Sequence, residues 1–271
     1  MNLNVLAGSG FGKSWITQVL IELNLDVYDR VLVLDYCDEY RGLCSNEHGP
    51  APANHWIAGP KERDEWGPAH YAALLEENPV LDLARHQEAI TNEDWREMCA
   101  DAITGARSTD GSLLIVIDEA HFVAPQRVGY PDEIERVATT GRGSKVSAMW
   151  VSQRPAALDE QVIGNSTARF AGGFNSGTDM GKLADVVNYP TDVHKTNTGR
   201  VPGLPEALHT DDGEPLAVRK WEDVDEAGNR RVTASEWIYS DDSGALDRKH
   251  SSQYDPACEH VGAAGKDIRV G

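Results

Sequence analysis

The chain has 271 residues, 44 of them acidic and 25 basic, for a net charge of −19, with Arg the commoner cation. That length builds one substantial α/β core, or a core with a small appendage. The acid excess excludes a broad basic face for nucleic acid, because affinity for phosphate backbones is carried by Lys and Arg, so any DNA contact has to be a narrow basic lining.

The same balance fits either a protein built for high salt or a plain acidic mesophilic one. In the first case self-repulsion is screened over a Debye length of about 3 Å at 1 M. The four cysteines, Cys37, Cys44, Cys99 and Cys258, form no C-x-x-C pair. They read as reduced thiols in a cytoplasmic setting rather than a disulfide frame. Cys37, Cys44 and His48 suggest metal ligands, but loose spacing and a missing fourth ligand weigh against that. There is no apolar run of 18 residues and no signal-peptide pattern, so a soluble, unexported protein without a membrane span is expected.

In chain order, the apolar run Leu3 to Leu6 predicts a first strand, and Ala7-Gly8-Ser9-Gly10-Phe11-Gly12-Lys13-Ser14 predicts a phosphate-binding turn. The P-loop pattern is G-x-x-x-x-G-K-[ST], and its first Gly is here Ala7, a mild change that adds one methyl group. Residues Gly8, Ser9, Gly10, Phe11, Gly12, Lys13, Ser14 and Trp15 are the expected nucleotide contacts. Backbone N–H groups and the helix start would face phosphate oxygens, Lys13 would reach the β- and γ-phosphates, and the Ser14 hydroxyl would ligate Mg²⁺. Ile16, Val19, Leu20 and Leu23 then recur at helical spacing, with Trp15 beside them, and pack that helix on a sheet.

Arg30 to Asp35 predicts a second buried strand, delivering Asp35, Asp38, Glu39 and Tyr40 to the sheet edge where ligands of open α/β folds bind. These acids either touch substrate or form a solvated loop. From Gly42 to Gly67 the sequence is rich in Gly, Pro, His and Asn without periodicity, and predicts an irregular excursion or lid. Pro68 to Asn78 predicts a helix and Val80 to Ala84 a short strand. Thr91-Asn92-Glu93-Asp94 opens a helix through about Arg107.

Leu113 to Ile117 is short and aliphatic enough for a strand buried on both faces, and it ends in Asp118-Glu119-Ala120-His121. A carboxylate pair at such a strand end is costly unless it is used. Asp118 would hold the Mg²⁺ shell, and Glu119 would orient and deprotonate an attacking water, which favours hydrolysis over transfer to a small acceptor. Beyond a helix over 132–140 and the turn Gly141-Arg142-Gly143, Val146 to Ser152 predicts a strand tipped by Gln153-Arg154-Pro155. Gln153 either hydrogen-bonds the γ-phosphate or lytic water, or is a turn residue. A fifth strand is expected over 168–172 and a capped helix over 176–187. After Tyr189-Pro190 the composition changes: 191–214 reads as loop, 215–221 and 231–239 pair as a hairpin, and 240–271 reads as a mobile tail.

Taken together, Gly10 to Ser14, Asp35 with Glu39-Tyr40, Asp118 to His121, Gly141-Arg142-Gly143 and Ser152 to Pro155 resemble, in order and spacing, the HerA/FtsK superfamily of P-loop motor ATPases over residues 2–187. The resemblance implies a RecA-like P-loop NTPase, an α/β fold whose mostly parallel sheet is flanked by helices, with the Gln153 strand between the P-loop and Asp118 strands. It also implies a homo-hexameric ring that moves double-stranded DNA through a pore, ATP and Mg²⁺ as cofactors, and an Arg completing the neighbouring subunit's site. Arg142 matches that position best, ahead of Arg154 and Arg169. The chain lacks the barrel domain of cellular HerA-type translocases and the membrane and DNA-reading domains of FtsK-type proteins, so it looks like the short viral genome-packaging ATPases. With the acid-rich surface, that points to a virus of a halophilic host and to a capsid or portal-vertex partner. The expected layout is an ATPase domain over 1–190, a loop and β-hairpin appendage over 191–239, and a flexible tail over 240–271. A conjugation- or secretion-type ATPase, an ATP-switched interaction protein and a small-molecule kinase are the competing readings.

Overall fold

The computed structural model describes residues 1–139, 145–224 and 230–262. Its centre is a sheet of ten strands in which seven run parallel. The elements are, in order, β1 (Asn2–Leu6), α1 (Lys13–Glu22), β2 (Arg30–Asp35), β3 (Asn54–Ala58), α2 (Pro60–Glu65), α3 (Pro68–Glu77), β4 (Val80–Arg85), α4 (Asn92–Ser108), β5 (Leu113–Ile117), α5 (Ala120–Val123) and α6 (Asp132–Thr139). They continue with β6 (Val146–Ser152), α7 (Glu160–Gly164), β7 (Ala168–Ala171), α8 (Gly177–Ala184), β8 (Lys220–Val224), β9 (Arg230–Asp241) and β10 (Leu246–His250).

The strand order is β10-β9-β7-β1-β6-β5-β2-β4-β3, with β8 paired to β9. Strand β6 therefore lies between β1 and β5, as the resemblance implied. Alternation along the buried strands sorts side chains onto two faces. Leu32, Leu34, Ile115, Ile117 and Trp150 pack with residues of α3, α4, α6 and α7. Val31, Val33, Val116, Met149 and Val151 pack with Ile16 and Val19 of α1 and with Val193, Val201, Leu208 and Val218 from the later chain. Both faces are covered, which is why β2 and β5 read as continuous aliphatic runs. Helix α4 starts as its sequence predicts, with the Thr91 hydroxyl accepting from the Asp94 N–H and the Asp94 carboxylate accepting from the Thr91 N–H.

Three expectations change. The 42–67 excursion is not wholly irregular: it contains β3, an edge strand paired to β4, and the short helix α2. The alternation there is hidden because an edge strand meets water on most of its surface, and Trp56 and Ile57 are exposed. Strand β9 pairs with Lys220–Val224 rather than with 215–221, and it also pairs antiparallel with β7, so this segment extends the main sheet. The segment 240–262, read from sequence as a mobile tail, carries a strand and packs on the core. Strand β10 pairs with β9, and Cys258 is buried against the α1 side of the core, where its carbonyl accepts from Gln18 Nε2 at 3.0 Å. Arg248 and Glu236 make this segment look polar in sequence, yet they satisfy one another in the interior, both about 6% exposed at 2.7 Å. No described helix is long and apolar enough to cross a membrane.

Candidate functional site

The sheet's C-terminal edge gathers the residues singled out by sequence. Strand β1 delivers the turn 7–12 and α1 begins at Lys13. Gly10 and Gly12 sit at φ +68° and +85°, left-handed conformations that disfavour a Cβ. The turn is pinned from behind: the Gly8 N–H donates to Gly173 O at 2.9 Å, and a Cβ on Gly8 would meet that oxygen at 3.2 Å. Ala7 is fully buried, so the position where the pattern has Gly tolerates a methyl group. Ser9 and Gly10 are exposed, Ser14 is half-buried, and Trp15 is a partly buried ring packed on the core rather than a free nucleotide platform.

Lys13 Nζ donates to Glu119 Oε1 at 3.1 Å and stands 3.8 Å from Asp118 Oδ1. All three residues are buried. Burial alone would lower the Lys13 pKa, but the Asp118 and Glu119 carboxylates outweigh it and the ammonium is held above its ordinary value. Asp118 is pushed up by burial against the pull of Lys13. Asp35 rises for the same reason, reinforced by the neighbouring Asp82 and Asp118 carboxyls. Asp35 is not a solvated acid. Its oxygens accept from the N–H groups of Cys37, Asp38 and Tyr40 at 3.1, 2.7 and 3.1 Å, shaping the turn so that the Tyr40 hydroxyl donates to Asp118 Oδ1 at 3.2 Å.

Glu119 adopts φ +42° as the chain turns from β5 into α5. A non-glycine residue in that region is uncommon and needs surrounding support. His121 supplies some: its Nδ1 lies 3.2 Å from Glu119 Oε2 and 3.1 Å from Ser152 Oγ, while burial lowers its pKa. Gln153, half-buried, follows Ser152 at the tip of β6 between the two motif strands. Arg154 is exposed at the same tip. Arg169 is not available to a neighbouring subunit, since its guanidinium is buried and donates to Ser166 O at 2.8 Å and Asp242 Oδ1 at 3.3 Å. Arg142 lies outside the described residues.

Sequence reasoning missed what the later chain does here. Phe11 is buried edge-on to Trp237 of β9, with ring centroids 5.7 Å apart, and its ring lies where a Cβ on Gly172 or Gly173 would fall. Lys220 Nζ donates to Gly10 O at 2.8 Å. Val232 and Ser235 of β9 flank Gly12. The hairpin thus forms one wall of the phosphate turn. No local signal marks Lys220, because its partner is 210 residues away.

The residues fit a magnesium-bound nucleoside triphosphate. Asp118 Oδ2 is buried without a hydrogen-bond partner, and the glycine turn presents the backbone shape of a phosphate cradle beside a lysine ammonium. Ser14 and Asp118 would hold the cation. Fold and site together define a P-loop NTPase, built on a mostly parallel sheet flanked by helices. No protein-family model matches the chain, and no curated protein matches it in sequence. Among solved structures it is similar to viral genome-packaging NTPases. The genome packaging NTPase B204 from Sulfolobus turreted icosahedral virus 2 in complex with ATP-γS superposes with a TM-score of 0.55 at 10% identity, covering 94% of this chain and 97% of that one. The sulfate complex of the same protein gives 0.56 at 10% identity over 96% and 98%. B204, the DNA-packaging ATPase from Sulfolobus Turreted Icosahedral Virus, gives 0.52 at 11% over 91% and 95%. At such identities the likeness establishes a shared fold.

Proposed function

We propose that this protein is an ATP-hydrolysing motor that drives a double-stranded DNA genome into a viral capsid. The observation that carries the chemistry is the convergence of Lys13, Asp118 and Glu119 at the glycine turn, with Gln153 on the strand between them. Lys13 binds the β- and γ-phosphates, Glu119 takes the proton from the attacking water, and Gln153 hydrogen-bonds the γ-phosphate or that water. Ser14, and Asp118 through water, would hold Mg²⁺, which would supply charge neutralisation at the phosphates. The end-to-end correspondence with proteins described as genome-packaging NTPases supports the choice of track.

The reading includes a homo-hexameric ring in which Arg142 supplies a guanidinium to the neighbouring subunit's site. It places the motor in the cytoplasm of a halophilic host, docked on a capsid or portal-vertex protein. The test is ATPase rate in molar KCl with and without long duplex DNA, with Glu119→Gln as the blank. Stimulation by duplex DNA is expected; hydrolysis indifferent to DNA overturns the translocase reading and leaves a secretion-type or switch ATPase. Mixing Arg142→Ala with Lys13→Ala subunits restores part of the activity if the Arg acts in trans, and no recovery removes it from that role.

A further inference from the structure

Next to Asp35, toward the β4–β3 edge of the sheet, lies a second set of ligating side chains that the nucleotide chemistry does not use. Asp82 stands in the middle of β4, its backbone paired to Val33 on one side and His55 on the other. It points to the face opposite Leu81 and Leu83 and is fully buried. His55 comes from the edge strand β3, and Asp38 from the turn that follows β2. One ligating atom from each of Asp38, His55 and Asp82 lies within 4.8 Å of the others. His55 Nε2 is 2.9 Å from Asp38 Oδ1 and 3.8 Å from Asp82 Oδ2. The edges of a tetrahedron around a zinc ion bound to nitrogen and carboxylate oxygen are about 3.4 Å, which those two separations bracket.

A second observation points to a ligand there. Asp82 Oδ1 is buried without any hydrogen-bond partner, and the other oxygen has the Cys44 thiol at 3.6 Å. A carboxylate buried at mid-strand is costly unless a proton or a cation meets it, and burial pushes the Asp82 pKa up to about 8. Arg41 is engaged by Asp38 Oδ2, which leaves Asp38 Oδ1 facing the imidazole. His55 and Asp38 are partly exposed, with side chains at 24% and 13%, so an ion has a route in from solvent.

We propose that Asp38, His55 and Asp82 form a binding site for a divalent zinc-type cation, with water completing the shell and Cys44 hydrogen-bonded behind Asp82. An imidazole with two carboxylates suits Zn²⁺, and Mn²⁺ or Co²⁺ in its place, better than Mg²⁺, which binds oxygen ligands and keeps its waters. The site is structural. It ties the otherwise solvent-facing β3 to β4, and through Asp38 it fixes the turn whose Tyr40 reaches Asp118.

The experiment measures metal content and Zn²⁺ affinity of nucleotide-free full-length protein, before and after chelator dialysis and with and without excess Mg²⁺, in wild type, His55→Gln and Asp82→Asn. The wild type is expected to hold about one equivalent of Zn²⁺, with His55→Gln weakening it by roughly a hundredfold or more. A large excess of Mg²⁺ should not displace the Zn²⁺, which separates this site from the nucleotide cation. Should Asp82→Asn fail to fold, His55→Gln on the exposed edge strand decides the matter, read together with Zn²⁺-dependent thermal stabilisation that Mg²⁺ does not reproduce. Wild-type protein that takes up no Zn²⁺, or His55→Gln protein that takes up as much as wild type, overturns the proposal. The first outcome leaves His55 as a hydrogen-bonding partner of Asp38 alone, and the second places the ion on surface acids.

Discussion

Lys13 Nζ and Glu119 Oε1 are hydrogen-bonded at 3.1 Å, so the cation offered to phosphates and the carboxylate offered as base engage one another before nucleotide arrives. Binding a γ-phosphate has to draw Lys13 away and release Glu119 toward water. Lys13→Ala should therefore abolish ATP binding and leave Asp118 and Glu119 buried without their cation, costing about 3–5 kcal/mol of stability. Glu119→Gln should stop hydrolysis while binding ATP at least as tightly as wild type, because the competing ion pair is gone. Fluorescent-nucleotide titration with single-turnover hydrolysis checks both; normal turnover in either variant removes that residue from the mechanism.

The raised pKa of Asp118 has a consequence with a definite sign. Burial favours the protonated acid, so below its raised pKa a proton must leave before a cation can be held. Mg²⁺ affinity in the presence of ATP should rise by about tenfold per pH unit below that pKa and level off above it, with proton release. The same shift works on folding in the opposite direction. The folded state binds the proton more tightly than the unfolded one, so this group's contribution favours the native state at acid pH and fades as pH rises through the folded value. Calorimetry in buffers of different ionisation enthalpy measures the release, and an affinity flat with pH would contradict it.

Phe11 ties the phosphate turn to Trp237 on β9. Phe11→Ala should destabilise the protein by about 3–5 kcal/mol, as truncation of buried aromatic rings does. Because that ring also fixes the turn, Phe11→Leu should cost less in stability yet still weaken ATP binding. Urea unfolding alongside nucleotide titration separates the two effects. A variant with unaltered ATP affinity would show that the turn holds its shape without the hairpin.

Arg248 donates to the carbonyls of Leu208, Leu216 and Ala217 and to Glu236 Oε2, all between 2.7 and 3.0 Å. Arg248→Ala would take a donor from three part-buried carbonyls and remove one of the two cations of a buried Glu, leaving Arg219 as the other. A loss of about 3–5 kcal/mol is expected by denaturant unfolding. A loss under about 1 kcal/mol, the range of exposed pairs, would mean that this segment is dispensable.

What the sequence determined by itself is local. Gly-Lys-Ser after a buried strand requires a phosphate turn whose glycines take positive φ, and five aliphatic residues ending in Asp118-Glu119 require a strand buried on both faces with acids at its tip. The Thr91 cap follows from its own local motif, and the family resemblance implied only that β6 lies between β1 and β5. Tertiary structure alone decided what depends on partners far along the chain. Strand β3 carries too few buried residues to show alternation, and in the polar 246–250 strand Arg248 finds its partner Glu236 inside the fold. Lys220 meets Gly10 across 210 residues, and Asp38, His55 and Asp82 come from three separate segments. Periodicity records which face of an element is buried; it carries no record of which distant group a buried polar atom meets, and that is settled only when the sheet closes its register.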